Sequence, residues 1–234
     1  MYIYGKNPIK ELIDKKSDLL LELFIDVKRH NSFYNELKKL NIEPKKLSEI
    51  NYKKMFPNKN VQGIVAKITD PQILSVDQLI KNNSLREENT ILLLDHISDP
   101  QNFGSIMRNA AAFGVNSIIL TKYESAPLNA TSIKASSGAW INLEIAQASS
   151  INHVVNELKK NNYWIISTSL TGEKNLSKIK EFKKKVIIFG SEGKGVRKSL
   201  QSRADFNIKI SMTNNVESLN VSSATAIILY EIYK

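Results

Sequence analysis

The chain has 234 residues, with 33 Lys+Arg against 23 Asp+Glu, three histidines and no cysteine. Without cysteine it forms neither a disulfide framework nor a thiolate zinc site, and His30, His96 and His153 stand at no metal-ligand spacing, so redox and zinc chemistry are poor readings and no metal ligand is assigned. Apolar runs such as Ile91 to Leu94 fall far short of the roughly 20 residues that span a bilayer, and the opening Met1-Tyr-Ile-Tyr-Gly-Lys carries no secretory pattern; a cytoplasmic protein with no membrane attachment is expected. The formal charge of +10 suits a polyanionic partner, because cations that neutralise phosphates release counterions, and it suits a solvated basic surface equally.

Tyr2 to Tyr4 reads as a short strand, and Pro8 opens a helix through Leu12 and Ile13. Leu20 to Val27 is strand-like, Phe33 to Leu40 has apolar residues at helical spacing, and Val61 to Ile68 closes a small α/β unit as a further strand. The positive excess is denser in this first part, with pairs at Lys38-Lys39, Lys45-Lys46 and Lys53-Lys54. A boundary is expected near residue 75, dividing a small part at 1–75 from a larger part at 90–234. Residues 76–89 between them contain a short amphipathic piece, Val76 to Ile80, and a polar connection.

The second part alternates strand and helix: Ile91 to Leu94, a helix at Ile106 to Phe113, Ser117 to Leu120, a helix near Ala130 to Ser136, and Leu143 to Ile145. A helix at Ile151 to Asn161 follows, then strands at Trp164 to Ser167, Val186 to Phe189 and Phe206 to Ile210, and a last helix at Val221 to Tyr233. Continuous apolar strands such as Val186-Ile-Ile-Phe189 suit a sheet covered on both faces, so the fold class is α/β with a parallel sheet.

Three segments carry chemistry. In Asp95-His-Ile-Ser-Asp-Pro-Gln-Asn-Phe-Gly-Ser-Ile-Met-Arg108, Asp99-Pro100 and Gly104 are expected to turn a loop at a strand's carboxyl end, where open α/β sheets bind ligands. There Asn102 can donate and accept, and Arg108 offers a fork of donors to phosphate or a developing oxyanion; equally, Asp99 and Asn102 could only shape the turn. Phe189-Gly-Ser-Glu-Gly-Lys-Gly195 is neither a P-loop nor a dinucleotide fingerprint, since its glycines run G-x-x-G-x-G; what remains is a tight turn that presents Glu192, or a simple connection. The stretch Ile208 to Ala224 runs from a strand through a polar loop into the last helix. It crowds Ser218, Asn220, Ser222 and Ser223 at a helix start, where capping alone explains any one of them.

Together, in this order, the three segments resemble the SpoU family of SPOUT methyltransferases, the TrmH-like RNA ribose 2′-O-methyltransferases, over roughly residues 90 to 234. The start Ile3-Tyr-Gly-Lys-Asn-Pro8 and the strand Val61-Gln-Gly-Ile-Val-Ala66 are similar to the L30e-like substrate-binding domain of the branch that modifies a guanosine of 23S ribosomal RNA. Lys6 and Val61 stand where that branch commonly has histidine, and Ser211 where the family generally has proline. The resemblance implies S-adenosylmethionine bound at a deep C-terminal trefoil knot, in a homodimer with active sites at the interface, acting on 23S RNA or a large-subunit precursor. It assigns Gly190, Ile210 and Leu219, with Met212 and Thr168 beside them, to the cofactor, and Asn102, Arg108, Glu192, Asn220 and Ser222 to catalysis. A transfer-RNA ribose methyltransferase and a non-catalytic RNA-binding protein of the same fold are the alternatives.

Overall fold

The computed structural model describes residues 1–57, 60–173, 176–213 and 216–234. Among them lie two sheets. The first has strands β1 (Tyr2–Tyr4), β2 (Leu20–Ile25), β3 (Lys45–Lys46) and β4 (Ile64–Ile68) in the order β1-β4-β2-β3, with β4 antiparallel to both of its neighbours. Helix α1 (Lys6–Lys16) buries Pro8, Ile9, Leu12 and Ile13 at helical spacing, and α2 (Asn31–Lys39) buries Phe33 and Leu37. Helix α3 (Glu49–Met55), which no apolar periodicity marks in the sequence, is started by Ser48, whose hydroxyl accepts from the Asn51 amide. β4 begins at Ile64 rather than Val61 because Gln62 and Gly63 take left-handed backbone angles, φ 56 and 77.

The second sheet is parallel throughout, as expected from its apolar strands. Its strands β5 (Asn89–Asp95), β6 (Ser117–Thr121), β7 (Glu144–Ala148), β8 (Trp164–Glu173), β9 (Lys184–Gly190) and β10 (Phe206–Ile208) lie in the order β10-β8-β9-β5-β6-β7. β5 is buried along its whole length, with β9 on one side and β6 on the other. β8 runs six residues past the expected end at Ser167, and its pairing with β10 jumps from Ser167 to Glu173, so residues 168–172 bulge out of the ladder. β10 stops at Ile208, two residues short of expectation.

Residues 76–89, expected to link two halves, instead contribute helix α4 (Val76–Asn83) to the larger unit. Ser75 and Gln78 cap that helix reciprocally at 3.2 and 3.0 Å, Leu79 is fully buried, and Leu74 hydrogen-bonds into β7 through Ile145 and Gln147. The amphipathic signal at Val76 to Ile80 is a core-facing stripe. The smaller unit packs on the larger through α1, against α6 (Ala130–Ala135) and the short turn Ala139–Asn142. A side chain at Gly138 would meet Glu11 Cγ at 2.7 Å and Pro8 Cα at 3.2 Å, and its φ of 96 favours glycine as well. No helix of the described residues is long and apolar enough to cross a membrane.

Candidate active site

Helix α5 (Pro100–Ala112) starts six residues before the expected Ile106. Asp99 caps it, accepting from the Gln101 amide at 3.0 Å, and Pro100 presets the first turn. Asn102 and Gly104 therefore lie inside the helix, not in a loop. Gly104 has poor helix propensity, and its role is close packing: a Cβ there would lie 2.3 Å from the Ala135 Cβ and 2.6 Å from the Ser132 carbonyl of α6. The buried Asn102 stands at the first turn of α5, and the last helix, α9 (Val221–Tyr233), is capped by Asn220.

Glu192 comes between these two helix starts on the turn after β9. Its Oε1 accepts from Asn102 Nδ2 and from Asn220 Nδ2, the latter at 3.0 Å, while Asn220 Nδ2 also reaches Asn102 Oδ1 at 2.9 Å. Asn220 Oδ1 accepts from the Ser222 amide at 2.8 Å and its hydroxyl at 2.6 Å. Three segments far apart in the chain thus meet in one hydrogen-bonded cluster. An exposed carboxylate at two helix N-termini is placed where both macrodipoles favour negative charge. Asn109, which no sequence motif singles out, adds a strut from α5 to the Ser222 carbonyl at 2.8 Å.

Arg108 does not join the cluster. It is exposed and reaches Ser137 Oγ at 3.4 Å; six residues along α5 from Asn102, it lies roughly 9 Å farther on and about 240° around the axis, on a different face.

The five cofactor candidates lie at or after the carboxyl ends of the parallel strand cores of β8, β9 and β10. Thr168 and Gly190 lie at the carboxyl ends of the expected cores of β8 and β9, and Thr168 Oγ1 donates to the Ile188 carbonyl at 3.0 Å. Ile210 and Met212 follow β10, Leu219 precedes α9, and all three are half-buried; residues 214 and 215 of this motif lie outside the described residues. Any side chain at Gly190 would collide with the returning turn, 2.0 Å from the Gly195 carbonyl carbon and 2.1 Å from the Val196 nitrogen. The cleft of about 520 Å³ at this rim is lined by Asp95, His96, Ser98, Glu124, Ser191, Gly193, Lys194, Gly195 and Arg197, and none of the five borders it.

The SpoU rRNA Methylase family model matches residues 89–230. The chain belongs to that family. Residues 2–74 match the RNA 2′-O ribose methyltransferase substrate binding model. A relative from Borreliella burgdorferi, described as an uncharacterised tRNA/rRNA methyltransferase, is 36% identical over 187 residues, covering 76% of this chain and 82% of its own. The SpoU methyltransferase AviRb from Streptomyces viridochromogenes, solved with AdoMet, superposes with TM-score 0.78 at 20% identity, covering 100% of this chain and 89% of that one, a likeness of fold. The TrmH/SpoU tRNA modifying enzyme of A. aeolicus aligns at 28% identity with TM-score 0.55, over 68% of this chain and 82% of its own.

Proposed function

We propose that the chain uses S-adenosylmethionine to methylate the 2′-hydroxyl of a guanosine ribose in 23S ribosomal RNA, as a cytoplasmic homodimer. The observation that carries the reading is the Asn102–Glu192–Asn220 cluster, which joins all three family motifs at the N-termini of α5 and α9. The substrate-binding match over residues 2–74 and the dense positive charge there support a structured RNA as substrate.

The residues at the cofactor end suit the donor. Half-buried Ile210, Met212 and Leu219 offer apolar contact to an adenosine and a thioether, and the absence of a side chain at Gly190 lets the turn 190–197 close tightly behind them. When bound, the cofactor supplies an activated methyl group for in-line transfer. The chain's own residues must align the ribose and assist loss of the hydroxyl proton. Glu192 and Asn220, mutually fixed, orient the sugar; the Arg108 guanidinium holds a substrate phosphate and stabilises the oxygen as its proton passes to that phosphate or to water.

The position of Arg108 supports a shared site. Its outward-facing guanidinium, away from Glu192 of its own chain, is free to reach a second copy. Ile227 and Tyr230 are exposed on α9, and the Tyr230 ring lies edge-on to Phe113 at the end of α5, 6.5 Å between centroids, an apolar face suited to that copy. The C-terminal threading into a trefoil knot is part of this proposal, supported by β9 lying between β8 and β5 and by α9 packing back on α5.

The deciding experiment maps 2′-O-methyl marks on ribosomal and transfer RNA from a deletion strain, beside calorimetry of the purified chain with S-adenosylmethionine. A single guanosine mark lost from 23S RNA and restored by the gene supports the reading. Loss of a transfer-RNA mark would replace it with the alternative, and absence of cofactor binding would leave a non-catalytic binder.

A further inference from the structure

The far edge of the larger sheet carries an aromatic surface that the methyl-transfer site does not use. Trp164 and Phe206 are the first residues of β8 and β10, and Phe182 lies on the connection into β9. Trp164 stacks on Phe182 with centroids 4.5 Å apart and planes 21° from parallel, and Phe182 stacks on Phe206 at 5.2 Å. Trp164 nonetheless remains 44% exposed, whereas Trp140, the chain's other tryptophan, is 4% exposed. Because Trp164 pairs in register with Lys185, it sits five residues, roughly 16 Å, below the level of Gly190.

The rim of this stack is basic. Lys178, with its ammonium 5.3 Å from the Phe206 ring centre, Lys180 and Lys183 are exposed, and none is paired with a carboxylate among the described residues. On that short turn, Ser177–Glu181, the one exposed acid is Glu181; Asp205 nearby is already bound by Lys159 at 2.7 Å. An indole stacked on Phe182 and tilted against Phe206, open to solvent and with exposed lysines on the neighbouring segment 178–183, has the chemistry of a base-stacking platform: the π face takes any unpaired base and the lysines take the flanking phosphates.

We infer that Trp164 and the lysines around it form a second RNA-binding surface, stacking an unpaired base of the substrate away from the site of methyl transfer. The inference rests on the reading of RNA as substrate and adds where on the larger unit the RNA is held. The cations set RNA, rather than an apolar protein face, as the occupant.

The test is a fluorescence titration of the full chain with a short single-stranded oligoadenylate, with binding of in vitro transcribed 23S RNA measured in parallel. Oligoadenylate is expected to quench the wild-type emission and to leave that of Trp164→Phe unchanged, since Trp140 is out of reach. Trp164→Ala should weaken binding of both RNAs about ten-fold, the lower part of the range for base stacking, and Trp164→Phe should recover part of it. Lys178→Ala with Lys180→Ala should flatten the salt dependence by about 0.7 for each phosphate that the variant no longer neutralises. Calorimetry with S-adenosylmethionine should be unchanged in every variant, which checks that each folds. Unaltered RNA affinity of Trp164→Ala and of the lysine pair, or an altered oligomeric state in its place, overturns the inferred surface while leaving the methyltransferase reading intact. A wild type that binds neither RNA overturns both.

Discussion

The carboxylate of Asp95, 1% exposed at the end of β5, is held by Arg197 three ways: the Arg197 amide donates to Oδ2 at 3.2 Å, Nε to Oδ2 at 3.1 Å, and Nη2 lies 2.9 Å from Oδ1. His96 Nδ1 shares Oδ1 at 2.7 Å. Since Asp95 pairs in register with Gly190, this fork ties both ends of the turn 190–197 to one strand end, and that turn carries Glu192. The antiparallel bridge between Ser191 and Gly195, with the Gly195 amide donating to the Ser191 carbonyl at 2.8 Å, closes it further.

Arg197→Ala is therefore expected to leave a buried carboxylate without its main partner and to destabilise the fold by about 2 kcal/mol, less than a fully buried pair because the guanidinium is half exposed. Arg197→Lys keeps the charge but not the two-pronged geometry, and should restore only part of the stability. Denaturant midpoints of the three proteins measure this; equal midpoints would mean that the turn is held elsewhere.

Gly190→Ala tests the same turn sterically. Its added carbon would sit about 2 Å from the Gly195 and Val196 backbone, a clash that no rotamer relieves, so the turn must move and Glu192 with it. The expected outcome is loss of S-adenosylmethionine binding by calorimetry with the far-ultraviolet spectrum retained, because the strand cores of β5 and β9 do not depend on this atom.

Much of this architecture is legible in the sequence because apolar continuity announces a parallel sheet and because three motifs with fixed spacing announce the family. The start of α5 is not: Gly104 reads locally as a turn residue, and only the Ser132 carbonyl and Ala135 side chain of α6 lying against it explain a glycine in a helix. Residues 76–83 read as a link for a related reason: the amphipathic piece Val76 to Ile80 shows an apolar stripe but not which sheet covers Leu79. Asn102, Glu192 and Asn220 stand out as a group, but their mutual hydrogen bonds reach across as many as 118 residues, which no local pattern encodes. Asp95 and Arg197 escape notice because a lone Asp at a strand end and a lone Arg after a glycine turn have no signature until they are adjacent.

Alkaline pH should expose a different part of the structure. Burial pushes the hydroxyl pKa of Tyr52, Tyr163 and Tyr233 above the ordinary tyrosine value, and Tyr52 donates to the Gly63 carbonyl at 2.8 Å. A raised folded-state pKa means that the stabilisation is complete below about pH 10, where unfolded tyrosine begins to ionise, and is lost as pH rises above it, because the unfolded chain releases protons that the folded chain retains. Unfolding free energy measured between about pH 9 and 11 should fall with pH, and Tyr52→Phe should make that fall shallower. An unchanged slope in the variant would show that Tyr52 titrates normally in the fold.

Arg108 offers the sharpest separation of chemistry from folding. Its one side-chain hydrogen bond among the described residues, to Ser137 at 3.4 Å, is long and solvent-exposed, so Arg108→Ala should change stability by no more than about 0.5 kcal/mol and leave S-adenosylmethionine affinity as it was. Methyl transfer should nevertheless drop by on the order of a hundred-fold or more, the cost of removing one preorganised group from a developing oxyanion. If the guanidinium serves the partner's site, mixing Arg108→Ala with an otherwise intact Glu192→Gln chain will restore activity in the mixed dimers, one of whose two sites is then complete. A mixture no more active than its parents would place Arg108 in its own chain's site, and a fully active Arg108→Ala would remove it from the reaction.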